Sequence, residues 1–209
     1  MELSLLTAQC KHFIEQQNND AAHQLDHIIR VVKTAQQIGE QENADIHVIT
    51  AAAFCHDVVC YPKNSELRAS SSLHAAQKTK DHLIQLGYKE TFCQQVYDAI
   101  SAHSYSAEID AKTLEAKIVQ DADRIDALGA IGVIRCIQVG ASLNSQLYQL
   151  DDPFCQNRTP IDKKFTIDHF YQKLLSLPDT MNTKTGKKIA QERVAFMKQF
   201  LSQLAKEIC

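Results

Sequence analysis

Three stretches set imidazoles or carboxylates inside apolar, helix-forming sequence. They are HQLDHIIRVV at 23–32, FCHDVV at 54–59 and KIVQDADRIDALGAIGVI at 117–134. His23 and His27 are four residues apart and so share a helix face. His56 and Asp57 stand side by side at the end of an oily run. Asp121, Asp123, Arg124 and Asp126 interrupt a segment whose other residues belong in a core. Burying such groups needs a compensating charge, and Arg124 can pair with only some of them. A divalent cation answers that need, since two imidazoles and two carboxylates make a good N/O ligand set. Each residue also has a plainer reading. His27 and His56 fit core or capping histidines, and Asp123 fits an ion pair with a nearby arginine. Cys55 and Cys60 flank the doublet and read as soft ligands or, more simply, as small buried hydrophobes.

The elements that would position these side chains are all helical. Leu3 to Gln17 reads as an opening helix, after which Asn18, Asn19 and Asp20 can cap the next. Ile28, Val31, Val32, Ala35 and Ile38 mark one face of a second helix, with Gly39 at its expected end. A third, from about Ala44 to His56, is apolar on so broad a face that it belongs at the centre. Tyr61 to Ser65 is a break. Further helices are expected at about Ser70–Leu86, ending near Gly87, and at Lys89–His103; SAHSYSAEID reads as a loop and a helix start. Residues 112–137 are strongly apolar, with Gly129 and Gly132 permitting close contact or a bend. The 25-residue stretch GASLNSQLYQLDDPFCQNRTPIDKK is polar and long for a loop, which suggests a flap or a partly ordered segment. Ile167–Leu177 and Ile189–Ile208 are expected as helices separated by Pro178–Lys188. The expectation is an all-α helical bundle in one domain, 1–209, with its core at about 20–137 and C-terminal helices at about 161–206 packing on it.

Composition narrows the partners. The 209 residues carry 22 Lys+Arg against 25 Asp+Glu, a formal charge of -3, so no basic field exists for a nucleic-acid backbone. A small phosphorylated ligand stays open, because a local metal or cationic cluster overrules net charge. No run approaches 18 apolar residues, which argues against a membrane partner. Seven cysteines without a Cys-x-x-Cys pair, and a start, MELSLLTAQCKHF, without a signal-peptide pattern, point to a reducing cytoplasmic setting. Oligomeric state, monomer or homodimer, is left open.

In order along the chain, HQLDHIIRV, FCHDVV, AHSYSAEI and AKIVQDADRIDALGAIGVIR resemble the HD-domain phosphohydrolase superfamily, named for its histidine-aspartate doublet. The tail FYQKLLSLPDTMNTKTGKKIAQERVAFMKQFL is similar to a branch of small, stand-alone bacterial members. The resemblance covers most of residues 20–204. It implies an HD-domain helical bundle and a divalent-metal site made of His27, His56, Asp57 and Asp123. It implies one ion, with Mn2+ or Mg2+ foremost and Ni2+, Co2+, Fe2+ or Zn2+ as alternatives. His74 and His103 lie roughly where other branches hold a second metal. It also implies phosphorus chemistry, with nucleoside triphosphates cleaved to monophosphate and pyrophosphate as the leading reaction. Nucleoside monophosphate dephosphorylation, phosphodiester hydrolysis and non-catalytic nucleotide sensing are the alternatives.

Around that site, Asp57, His103 and Asp126 are the catalytic candidates. His103 could donate a proton to a leaving group or bind phosphate, against a helix-end histidine bonded to backbone. Asp126, one turn past Asp123, could position water or hold a ligand histidine. His23, Lys63, Arg68 and Arg124 are the candidates for contacting substrate. Lys63 and Arg68 read equally as solvated surface, His23 as support for His27, and Arg124 as an ion-pair partner of the neighbouring aspartates. Tyr61, Tyr105 and Tyr148 could stack on a base but read more simply as packing residues.

Overall fold

A computed structural model describes residues 2–17, 21–62, 65–104 and 109–208, with 21–24 described for backbone alone. The fold is all-α. Among the described residues the only β feature is a lone bridge between Gln146 and Phe165. The chain divides into two compact units, Met1–Asp123 and Arg124–Cys209.

The first unit is built around α3 (Ile46–Cys55), against which α1 (Leu3–Gln17), α2 (Ala21–Glu42), α4 (Ser71–Gln85) and α5 (Glu90–Ser101) pack. Every residue of α3 from Val48 to Cys55 is buried. That matches the broad apolar face of ITAAAFC: small Ala side chains let neighbours approach on all sides. Asp45 starts the helix as its N-cap, its carboxylate accepting from the backbone N–H of His47 at 2.9 Å and Val48 at 3.3 Å. The helix stops at Cys55, so the His56–Asp57 doublet occupies the turn that leaves it.

The second helix runs past its expected end. α2 continues through Gly39 to Glu42 and is closed by Asn43, whose φ of 58° is left-handed, with the Ala44 N–H returning to the Gly39 carbonyl. Gly39 serves a different purpose: a β-carbon there would stand 2.6 Å from Ile49 Cδ1, so the missing side chain is what lets α2 lie close to α3. Gly87, φ 84°, closes α4 by the same return bond, Tyr88 N–H to the Leu83 carbonyl, as the sequence suggested. The candidate caps Asn18, Asn19 and Asp20 lie outside the described residues. α6 (Leu114–Ile125), which carries Asp121 and Asp123, starts at Thr113, whose hydroxyl accepts from Ala116 N–H.

The apolar segment 112–137 is therefore two helices. α6 ends at Ile125, a tight turn follows, and α7 (Gly129–Ser142) begins at Gly129 with φ 73°, a conformation that favours glycine. In the second unit α7 packs on α9 (Lys184–Ile208), and a 3-10 segment, Leu174–Thr180, packs on both α9 and α8 (Asp168–Gln172). The helix expected over Ile167–Leu177 is broken at Lys173, φ -140° and ψ -55°. The last helix starts at Lys184, five residues before the sequence suggested, because the Thr183 hydroxyl caps it by accepting from Gly186 N–H.

The long polar stretch is pinned, not a flap. The Gln146 amide donates to the Lys164 carbonyl, and the Thr166 amide donates back to the Gln146 carbonyl. Asp152 accepts from the amides of Gln156 and Asn157. Arg158 forks onto the fully buried Asp168 carboxylate at 2.5 and 2.7 Å, and the same carboxylate accepts from Ile161 N–H at 2.7 Å. Burial alone would raise the Asp168 pKa; the Arg158 fork and the Ile161 amide overcome that and hold it below the usual carboxylate value. Removing one partner of a buried pair leaves the other uncompensated. Asp168→Asn should therefore lower unfolding free energy by about 3 kcal/mol at neutral pH. Because the folded pKa is depressed, the wild-type advantage is complete above the unfolded value of about 3.9 and shrinks as pH falls below it. Urea unfolding of both proteins between pH 7 and pH 3 measures this.

Candidate metal centre

The side chains of the candidate centre arrive from four separate parts of the first unit. His27 stands on the apolar edge of α2, His56 and Asp57 in the turn closing α3, His103 just past the end of α5, and Asp123 on α6. The last carbonyls of a helix lack intrahelical partners, and two of the histidines exploit this. His56 Nδ1 donates to the Ala53 carbonyl at 2.8 Å, and His103 Nδ1 donates to the Ile100 carbonyl at 2.7 Å. A carbonyl only accepts, so Nδ1 carries a proton in both rings and Nε2 is turned inward.

His56 Nε2 is fully buried and has no hydrogen-bond partner among the described residues. It faces Asp57 Oδ2 at 3.5 Å and Asp123 Oδ1 at 3.8 Å. Burial, the largest influence, pushes the His56 pKa down against the opposing pull of Asp57, so the ring is neutral and presents a lone pair to two carboxylates. His27 Nε2 approaches Asp123 Oδ1 at 3.4 Å. His103 Nε2 approaches the other oxygen of Asp57, Oδ1, at 3.6 Å. Burial would raise the Asp57 pKa, but His56, His103 and His27 hold it well below the ordinary range. For Asp123 burial again opposes, and the hydrogen bond from His27 leads the groups that lower it. His103 is shifted the other way. Burial would lower it, and the Asp57 carboxylate facing it raises it above the usual imidazole value.

These separations suit a cation. Ligands about 2.0–2.2 Å from one ion at tetrahedral or octahedral angles lie roughly 3–3.5 Å apart, longer than good hydrogen bonds and close to the distances seen. One ligand atom each from His27, His56 and Asp57 lies within 4.8 Å of the other two, and Asp123 adds its oxygen beside both imidazoles. The orphaned His56 nitrogen, two ionised carboxylates and a second imidazole fit a divalent ion, which would supply the missing partner.

Comparison with known proteins follows the same residues. The HD domain family model matches residues 25–128, which contain all five side chains. The Bacillus subtilis protein YpgQ is 32% identical over 195 residues, covering 91% of this chain and 87% of its own. The chain belongs to the HD-domain family. The crystal structure of Bacillus subtilis YpgQ in complex with ADP superposes with a TM-score of 0.77 at 31% identity, over 100% of this chain and 97% of that one. An HD-superfamily hydrolase from Bacillus thuringiensis gives 0.75 at 33% identity, over 98% and 95%.

Around the HD doublet the other candidates fall unevenly. Arg68 NH1 donates to the Tyr61 carbonyl at 2.8 Å and to Cys60 Sγ at 3.0 Å, which ties down the loop following Asp57. Lys63 and Tyr105 lie outside the described residues, as does the side chain of His23. Asp126, in the second unit, is buried and bonded to Arg135 at 2.5 Å. Arg124 NH1 donates to the Thr180 carbonyl at 2.6 Å. His74 is exposed and paired with the Tyr61 hydroxyl at 3.0 Å. Cys55 is buried against Cys10, and that contact, together with burial, pushes its thiol pKa well up, as befits a packing residue. Sequence reasoning missed the carbonyls of Ala53 and Ile100, which orient the two rings. Their only signal was position: each histidine follows its carbonyl by three residues at a helix end.

Ion binding to the folded state alone raises stability by RT ln(1 + [L]/Kd), about 2.7 kcal/mol at one hundred times Kd. Adding Mn2+ to chelator-treated protein should raise its melting temperature by several degrees. His56→Ala should abolish that rise, and differential scanning fluorimetry across a Mn2+ titration reads both.

Proposed function

We propose that this protein is a divalent-metal-dependent phosphohydrolase that cleaves (deoxy)nucleoside triphosphates to the monophosphate and pyrophosphate. The observation that carries the reading is the buried, unpartnered His56 Nε2 facing the carboxylates of Asp57 and Asp123. Membership of the HD-domain family and the ADP complex of YpgQ support a phosphate-bearing nucleotide as the ligand class.

In this reading His27, His56, Asp57 and Asp123 hold one ion, Mn2+ or Mg2+ foremost. When bound, the ion supplies Lewis acidity toward a phosphate oxygen and lowers the pKa of water. The chain's own residues do the remaining work. Asp57 offers one oxygen toward His56 and the other toward His103, so a single carboxylate links the ligand set to the candidate acid. His103 keeps a proton on Nε2 to higher pH than an ordinary imidazole, and it could pass that proton to the departing pyrophosphate oxygen. The two carboxylates stay ionised through the physiological range, so the ligand set does not lose its charge as the pH varies. Arg68 ties down Cys60 and Tyr61 after Asp57, and Lys63, six residues past Asp57 in sequence, is proposed to meet the phosphates. The negative net charge favours free nucleotides over nucleic acid, and a cytoplasmic setting is part of the proposal.

The test is a product analysis. With Mn2+ or Mg2+, 31P NMR should record monophosphate and pyrophosphate from a nucleoside triphosphate, and EDTA should stop the reaction. Asp57→Ala should reduce the rate at least about a thousandfold while the far-ultraviolet circular dichroism stays that of the wild type. Full activity in Asp57→Ala would remove the assignment. Inorganic phosphate released from a monophosphate substrate would instead favour a phosphatase, and nucleotide binding without turnover would favour a sensor.

A further inference from the structure

His103, in the turn after α5, and Asp123, on α6, approach the centre separately, and the distance between them needs fixing by something other than the two side chains. Gln120 meets this need. It is buried on α6, one helical turn before Asp123, and its Nε2 donates to the Ala102 carbonyl at 2.9 Å. Ala102 immediately precedes His103 and is itself buried. The Gln120 amide therefore ties the backbone that bears His103 directly to the helix that bears Asp123.

We propose that Gln120 is a positioning residue of the metal centre, whose side-chain amide sets His103, and through it Asp57, against Asp123. The chain of contacts is continuous. Gln120 holds the Ala102 carbonyl, and the Ile100 carbonyl two residues earlier receives His103 Nδ1. His103 Nε2 then faces Asp57 Oδ1, which leaves Oδ2 turned toward His56. Without the amide the turn after α5 loses its tether to α6. The buried Ala102 carbonyl then lacks that donor, a costly condition that favours a shifted backbone. A shift of the ring would let the Asp57 carboxylate rotate away from the geometry in which it and Asp123 share one ion. Partners that orient metal ligands in this way typically change metal affinity or activity by 10–100-fold when removed.

The inference rests on the metal-dependent reading above, so the test separates the two. Gln120→Met keeps the length and bulk of the side chain and removes the donor. Titration calorimetry with Mn2+ alone should show about tenfold weaker binding than wild type. Long-range 1H–15N spectra should show the His103 ring resonances displaced while the histidines remote from the centre stay in place. In the turnover assay kcat should fall about tenfold with KM for the nucleotide within about twofold. Should Gln120→Met fail to fold, Gln120→Asn, which keeps an amide too short by one methylene to reach Ala102, carries the same expectations. Wild-type Mn2+ affinity and unmoved His103 resonances in a folded variant would overturn the proposal. Wild-type protein that binds Mn2+ but turns over no nucleotide would overturn the proposed reaction and leave the calorimetric and spectroscopic arms intact.

Discussion

A neutral imidazole whose buried nitrogen lone pair points at two carboxylates is repulsive when nothing stands between them. His56 is held in that posture by the Ala53 carbonyl, which fixes the proton on Nδ1 and leaves Nε2 without a hydrogen-bond partner among the described residues. Leaving such an acceptor unmade costs roughly 1–3 kcal/mol, and two nearby negative charges add to it. A fold retains such a conflict when a cation resolves it. The rest of the first unit can be understood as the apparatus that brings His27, Asp57 and Asp123 to the same point.

That apparatus is simple in design. α3 is short, small-residued and buried, so four helices surround it and its C-terminal turn opens toward them. Asp45 fixes where it begins, and the missing side chain of Gly39 fixes how near α2 lies to it. The doublet thus emerges from a helix buried from Val48 to Cys55, which suits a site that must hold ligand atoms to within a fraction of an ångström. His27 sits one turn along α2 from the core residue Val31, and Asp123 occupies α6 beside the core residue Ala122. Both place ligand atoms at the edge of packed apolar surface, beside imidazoles that lower the pKa of Asp57 and Asp123.

Much of this was legible in the residues themselves. The helical class followed from apolar spacing, and the central place of α3 from its breadth of apolar faces. The HD doublet and the run from Asp121 to Asp126 stood out because charge there contradicts the surrounding pattern. The misreadings have physical causes. Gly39 and Gly129 were ambiguous because glycine serves close contact, helix ends and bends alike, and one residue type does not say which. Residues 140–164 read as a flap or a partly ordered segment since their polarity resembles that of a solvated loop. Their order comes from Asp152, Arg158 and Asp168, whose bonds join residues that periodicity does not relate. The break at Lys173 and the early start of α9 lie in backbone and capping detail finer than a periodic pattern resolves. Arg68, a candidate for contacting substrate or for solvated surface, bonds to the Tyr61 carbonyl, and Asp126, a candidate for positioning water or a ligand histidine, bonds to Arg135. No spacing rule anticipates such partners.

Pulsed electron paramagnetic resonance of the Mn2+-loaded protein tests the central claim most directly, because directly coordinated imidazole nitrogen imprints its own modulation on the manganese signal. The account predicts 14N modulation from two imidazoles, reduced to one in His27→Ala and in His56→Ala taken separately. Mn2+ bound with no directly coordinated nitrogen, or modulation unchanged in both variants, would contradict it.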